Sequence, residues 1–227
     1  MRGKIIEIEG TDCSGKGTQS KLLCERLNKC GKKTSLFSFP MYDTPTGKIV
    51  GGPFLGKTDI CPEGSWFIGG ADKVSKKISA TLYIWDRAYN IPKVMEALET
   101  GNVVFDRYAD SNLAYNASNI KDKKQRFKMY KWMETMEYKM FGNPKADIRI
   151  LLYVPSEISQ KLKEQRQNKT TDEYEKDKDL LKRAELAYLE LAKRNKYKVI
   201  NCVENGELLP IDTIHEKIWQ YVSAKLK

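Results

Sequence analysis

Two hydrophobic periodicities alternate along this chain. Short apolar runs, some strictly alternating, predict strands at 4–9, 33–39, 102–106, 147–153 and 198–201. Between them, apolar residues recur at three- and four-residue spacing. That pattern predicts helices at 16–30, 73–90, 92–100, 111–118, 124–141, 156–167, 177–195 and 211–225. Gly31 and Gly101 stand where helix C-terminal glycines belong, each just ahead of a strand. Strands separated by helices imply an α/β, three-layer α/β/α architecture: a five-stranded parallel sheet with helices on both faces and ligands at the carboxyl ends of the strands. The Gly- and Pro-rich segment 40–72 reads as an irregular substrate loop. The polar segment 163–175, bracketed by helices, reads as a short mobile lid carrying Arg166 and Lys169, or else as a solvated connection.

The first strand carries the chemistry that changes this picture most. Ile6 and Ile8 alternate into Gly10-x-x-x-x-Gly15-Lys16, and a helix-forming stretch follows at once. Glycines in such a loop let successive backbone N–H groups point inward, and the helix start adds partial positive charge. A strand–loop–helix context of this kind is that of a P-loop NTPase. The nucleoside triphosphate would lie against Gly10, Thr11, Asp12, Cys13, Ser14, Gly15, Lys16, Gly17 and Thr18, with Lys16 reaching the outer phosphates.

Composition narrows the class. The chain has 227 residues and a net charge of +10. Its basic residues are mostly Lys, interleaved with acids on helices, which reads as solvated helix faces rather than a nucleic-acid surface. No apolar run is long enough for a membrane span and the amino terminus lacks a hydrophobic signal stretch, so no membrane partner and a cytoplasmic location are expected. Cys13, Cys24, Cys30, Cys61 and Cys202 are scattered, with no C-x-x-C spacing, which argues for reduced thiols. Met129, Met133, Met136 and Met140 form a stripe that reads as a core or subunit-contact face. The four tryptophans are core candidates, and His215 on the last helix reads as structural.

Further clusters follow the strand ends. Phe39-Pro40-Met41-Tyr42-Asp43 either places the Tyr42 hydroxyl over a cleft or simply ends a strand in a stiff turn. Tyr83 and Arg87 share a helix face, where ring and guanidinium would stack on and hydrogen-bond a base, or pack as a half-buried pair. Val103-Val104-Phe105-Asp106-Arg107-Tyr108, followed by Ser111, Asn112 and Tyr115, ends an apolar strand in Asp. That is a position for a carboxylate holding Mg²⁺ through water, or else Asp106 and Arg107 are a charge pair that caps the strand.

Taken in order, these clusters resemble the thymidylate kinases, which are P-loop nucleoside monophosphate kinases. The resemblance spans 1–227 as one domain. It rests on Gly10 to Gln19, Phe39-Pro40, Asp86-Arg87, Asp106-Arg107-Tyr108 with Ser111-Asn112-x-x-Tyr115, Asp172 to Glu175, and Tyr188 to Ala192. It implies transfer of the ATP γ-phosphate to dTMP, with Mg²⁺, in a cytoplasmic homodimer. Lys16, Arg107, Asp12 and Arg166 would be catalytic. Asp12, Phe39, Pro40, Tyr42, Tyr83, Arg87, Arg107, Ser111, Asn112 and Tyr115 would form the acceptor site, and Asp106 would serve the metal through water. In those roles Asp12 accepts from the sugar 3′-hydroxyl, Tyr83 stacks on thymine, and Arg87 and Asn112 address its edge. Tyr115 crowds the 2′ position, Arg107 clamps the acceptor phosphate, and Glu175 helps organise metal or nucleotide.

The chain departs from the family pattern in places. Gly17 follows Lys16 where many P-loops carry a metal-ligating Ser or Thr. Cys13 and Ser14 stand where some relatives have an Arg, so the transition-state cation is expected from the lid, with Arg166 first and Lys169 second. Glu173 takes a lid position that is often basic. Met41 replaces a basic residue found in some relatives. Three other readings remain at this stage: a deoxynucleoside kinase, a monophosphate kinase with another acceptor, and a P-loop ATPase acting on nucleic acid.

Overall fold

A computed structural model describes residues 2–165 and 179–226. Five strands, β1 (Ile5–Glu9), β2 (Thr34–Ser38), β3 (Asn102–Asp106), β4 (Ile148–Tyr153) and β5 (Lys198–Asn201), pair in parallel in the order β2-β3-β1-β4-β5. Helix α1 (Lys16–Lys29) follows β1. Next come the short α2 (Pro45–Ile49), the long α3 (Lys76–Thr100), α4 (Ala109–Ala117), α5 (Lys123–Glu134), α6 (Ser156–Gln165), α7 (Leu180–Asn195) and α8 (Ile211–Lys225).

Strand alternation divides the core between two faces. Ile6, Ile8, Val104, Ile150 and Leu152 point to the side of α1 and α8, meeting Leu23, Leu27, Ile214 and Ile218. Ile5, Val103 and Phe105 point the other way, against Val94 and Leu98 of α3, while Leu151 joins α4, α5 and α7. The same opposite face of β1 carries Glu7 and Glu9, both fully buried.

Four expectations need correction. The pattern at 73–100 suggests two helices parted at Pro92, yet α3 runs unbroken through it, its buried face continuing from Ile84 and Asn90 to Val94 and Leu98. Segment 40–72 is not irregular throughout. It holds α2, a π-helical turn Val50–Phe54 and a short 3₁₀ turn Ala71–Lys73, and Val50, Phe54, Leu55 and Ala71 make a small core of their own. Its glycines serve close approach: a Cβ at Gly47 would sit 1.8 Å from the Met41 carbonyl oxygen.

None of the tryptophans is fully buried. Trp66 is 72% exposed on the Gly-rich loop and Trp85 lies on the outer side of α3, while the half-buried Trp132 and Trp219 carry Lys77 and Arg26 over their rings. The methionine stripe also breaks. Met129 and Met133 are buried, but the helix widens into a π-helical segment at Thr135–Met140. That change of pitch turns Glu137 fully inward and leaves Met140 71% exposed.

The β5–α8 connection contains a two-stranded hairpin, β6 (Val203–Glu204) with β7 (Glu207–Leu208). Its turn residues Asn205 and Gly206 both have positive φ, as a tight hairpin requires. Among the described residues no helix is long and apolar enough to cross a membrane. Of the expected lid, only 163–165 falls within the described residues; Arg166, Lys169, Asp172, Glu173 and Glu175 lie outside them.

Candidate active site

The carboxyl ends of β1 and β3 meet the start of α1, and the site is built there. After Glu9 the chain turns through Gly10 to Gly15. Cys13 and Gly15 both have left-handed φ, of 60° and 83°, and Gly15 caps α1. A Cβ at Gly10 would lie 2.6 Å from both the Leu152 carbonyl oxygen and the Ser14 hydroxyl, so only glycine fits. The first turn of α1 contains no acidic residue. Its free N–H groups and dipole therefore favour an anion.

Lys16 lies folded over this loop. Its buried ammonium donates to the Thr11 carbonyl at 2.6 Å, with the Ser14 hydroxyl at 3.5 Å. Burial, then the positive Arg107, pull its pKa down to about 8, although Asp12, Asp106 and Glu9 act in the opposite sense. The Thr11 and Ser159 hydroxyls pair at 3.3 Å, fastening the loop to α6.

Arg107 follows β3 with φ 65°, a left-handed value uncommon for a side-chain-bearing residue, and this turn leads from the strand into α4. Its guanidinium forms an ion pair with Asp12 and sits 3.4 Å from the Ser111 hydroxyl and 5.7 Å from the Tyr115 ring centroid. Burial alone would raise the Asp12 carboxyl, but the charges of Arg107 and Lys16 outweigh it and hold Asp12 below its ordinary value. Below them, Glu9 accepts from the Tyr108 and Ser111 backbone N–H groups at 2.8 and 3.0 Å. It also accepts from the Ser111 and Tyr188 hydroxyls at 2.6 and 3.0 Å. This fixes the start of α4.

A cleft of about 280 Å³ opens beside the pair. All ten residues expected at the acceptor site line it: Asp12, Phe39, Pro40, Tyr42, Tyr83, Arg87, Arg107, Ser111, Asn112 and Tyr115. The structure adds Leu55, Lys57, Tyr108 and Asn116. Lys57 arrives from segment 40–72 and lies over the Tyr42 ring at 4.7 Å. Tyr108 stacks flat on Phe105, 4.3 Å between centroids, and donates to the Pro144 carbonyl at 2.8 Å. Asn112 donates to the Ala80 carbonyl at 3.0 Å and accepts from Asn116 at 2.7 Å, which joins α3 to α4 along the wall.

Neighbours in the Asp86-Arg87 pair have separate jobs. Asp86 turns away from the cleft and takes hydrogen bonds from the Met41 backbone N–H at 3.0 Å and the Thr46 hydroxyl at 2.8 Å, pinning segment 39–47 to α3. Burial raises its pKa, which these donors only partly offset. Arg87 lines the cleft while its guanidinium grips the buried Glu137 through two hydrogen bonds. Glu137 escapes a sequence reading because straight helical periodicity assigns the inward positions to methionines.

Asp106 is the candidate metal residue. Its carboxylate faces the first turn of α1, 3.1 Å from where a Gly17 Cβ would stand, and the Ser38 hydroxyl lies 3.5 Å away. Among the described residues no three His, Cys, Asp or Glu side chains gather as a metal cage. One carboxylate with one hydroxyl oxygen nearby suits Mg²⁺, which keeps most of its waters and is shared with phosphate oxygens.

A family model described as thymidylate kinase matches residues 8–218. The chain is 33% identical over 227 residues to a probable thymidylate kinase of Thermococcus kodakarensis, covering 98% of each chain. It is 31% identical over 229 residues to a probable thymidylate kinase of Pyrococcus abyssi, covering 100% of this chain and 98% of that one. To the thymidylate kinase of Mycobacterium tuberculosis it is 30% identical over 193 residues, covering 83% and 85%. Among solved structures, a thymidylate kinase from Candida albicans shares the fold with a TM-score of 0.75 at 23% identity, covering 99% of this chain and 92% of that one.

Proposed function

The chain belongs to the thymidylate kinase family, and from that premise we propose how its cleft moves the γ-phosphate of ATP to dTMP. The observation that carries the reading is the Asp12–Arg107 pair, which sets an acceptor cleft directly against a phosphate loop.

The donor triphosphate lies along Gly10 to Thr18, held by loop N–H groups and the start of α1. Lys16 leaves the Thr11 carbonyl and turns to the outer phosphates. On the other side Tyr83 stacks on the base, Arg87 and Asn112 meet its edge, and Phe39, Pro40 and Tyr42 close the cleft. Asp12 accepts from the sugar hydroxyl, Tyr115 excludes a 2′-hydroxyl, and Arg107 with Ser111 receives the acceptor phosphate. Phosphoryl transfer asks little covalent work of a protein, so rate comes from in-line positioning and from cations that meet the spreading charge. Asp106 and the Ser38 hydroxyl would hold Mg²⁺ through its waters, and the metal when bound neutralises phosphate charge. Arg166 in the lid of about 163–175 is assigned the remaining transition-state cation. We read 1–227 as one nucleoside monophosphate kinase domain acting as a cytoplasmic homodimer, with no nucleic-acid or membrane partner.

The test is ADP release at fixed ATP with a panel of acceptors: dTMP, dUMP, dCMP, AMP and thymidine. Turnover is expected to be highest with dTMP and absent with thymidine. Preference for the uncharged nucleoside would overturn the reading in favour of a deoxynucleoside kinase.

A further inference from the structure

Arg87 is 2% exposed and Glu137 is fully buried, and the two meet in a fork: Nε donates to Oε1 at 2.7 Å and Nη2 to Oε2 at 2.6 Å. Asn143 holds Glu137 in turn, its side-chain amide donating to Oε1 at 2.8 Å and its backbone N–H to the Glu137 carbonyl at 3.0 Å. Charge and hydrogen bonding from Glu137 keep Arg87 above its ordinary value despite burial. Glu137 reaches this place only through the π-helical widening of Thr135–Met140. A guanidinium has five N–H donors in a rigid plane, and two are consumed here. Those that remain sit on a side chain that also lines the cleft, one helical turn from Tyr83.

We propose that Glu137 is the positioning residue for base selection: by locking the Arg87 fork it makes the cleft accept a 4-oxo pyrimidine and reject a 4-amino one. The inference rests on the proposed assignment of Tyr83 and Arg87 to the base. A carbonyl accepts from a fixed guanidinium, whereas an amino group opposite it sets donor against donor, with both left unpaired and buried. An Arg87 freed from Glu137 can swing aside and relieve that conflict, so the same change weakens the right base and tolerates the wrong one. Glu137 does not touch the substrate in this scheme; it acts through Arg87.

The test is Glu137→Gln in the full-length chain, assayed with dTMP and with dCMP at saturating ATP. Where dCMP turnover is too slow, dCMP is measured as a competitive inhibitor. The expected result is a rise in KM for dTMP of about tenfold, little change in kcat at saturation, and a fall of about tenfold in the dTMP-to-dCMP preference. In an Arg87→Met background the substitution is expected to add nothing to the dTMP KM. Asn143→Ala, which removes the side-chain brace, should move the preference the same way by a smaller factor, and it decides the matter if Glu137→Gln does not fold. Equal loss of kcat with both acceptors at unchanged preference would mean a merely structural role and would overturn the proposal. A wild-type chain that does not phosphorylate dTMP would instead overturn the underlying functional reading.

Discussion

Asp12 and Arg107 form an ion pair that ties the phosphate loop after β1 to the left-handed turn after β3. On the proposed reading the link holds Arg107 ready between the donor and acceptor sides before either is bound. Replacing it with Ala should lower kcat about a hundredfold or more, as loss of one charge-stabilising contact does. The far-ultraviolet circular dichroism spectrum should stay unchanged, since Arg107 belongs to no core cluster. Arg107→Lys should fall between, because an ammonium cannot present a fork to carboxylate and phosphate together. Near-normal turnover in the Ala variant would remove Arg107 from the mechanism.

If Lys16 holds the ATP phosphates as proposed, ATP binding should be sensitive to pH. Its free-state pKa of about 8 means the ammonium is mostly charged at pH 7 and mostly neutral at pH 9. A polyphosphate favours the charged form, so affinity should weaken as pH rises through 8, and binding at pH 8–9 should take up a proton. Calorimetry of a non-hydrolysable ATP analogue in buffers of different ionisation enthalpy reads that uptake directly. Lys16→Met should bind weakly at every pH and show no uptake. A wild-type affinity flat from pH 7 to 9.5 would contradict the assignment.

In the proposed function Tyr115 is assigned the sugar preference. Its ring is wedged edge-on against Tyr188 at 6.2 Å and beneath Arg107, with its hydroxyl buried. Tyr115→Phe should lower the preference for dTMP over its ribose analogue by about tenfold in kcat/KM, the scale set by one small group in a binding pocket. Identical ratios in both enzymes would leave Tyr115 with no part in sugar choice.

Glu7 predicts a stability effect instead. It is fully buried in the central strand beside Glu9, and Arg149 is 3.5 Å away. Burial first, then the charges of Asp110 and Glu9, drive its pKa well above the usual carboxylate range, with Arg149 opposing. A folded-state value above the unfolded one means the folded chain holds the proton more tightly. Stability is therefore lost as pH climbs from the unfolded value through the folded one. Glu7→Gln removes that slope. Its melting temperature should exceed the wild-type value by about 3 °C or more at pH 9, with a smaller gap at pH 5. A gap that does not widen with pH would sink this account of Glu7.

Repetition and spacing made the sheet legible. Each of the five strands lies within a residue or so of its expected place, because short apolar or alternating runs bounded by turn signals point to strands. Ten of the residues that line the cleft could be named ahead through the family resemblance, whose motifs sit just past strand ends or on one helix face. What stayed hidden depends on contacts far along the chain. Glycines at 47 and 51 resemble loop punctuation until Met41 and Tyr42 are seen pressed against them. Pro92 resembles a break until the buried face on either side of it is seen to be continuous. Glu137 was concealed because a π-helical turn abolishes the period by which inward positions are counted. The Asn205-Gly206 hairpin was a missed signal of the ordinary local kind.

Three helices begin just past the ends of β1, β3 and β4, and two of them already have a counter-ion of their own. Glu9 occupies the positive end of α4, and Glu185 takes the Ser156 backbone N–H at the head of α6 at 3.0 Å. The first turn of α1 contains no acid of its own, and Asp106, which faces it from β3, is the residue proposed for the metal. On the proposed reading a polyphosphate reaching this edge of the sheet lodges at α1, and the smaller anion comes from the Arg107 side. In that scheme the direction of transfer follows from which helix starts the protein has neutralised for itself.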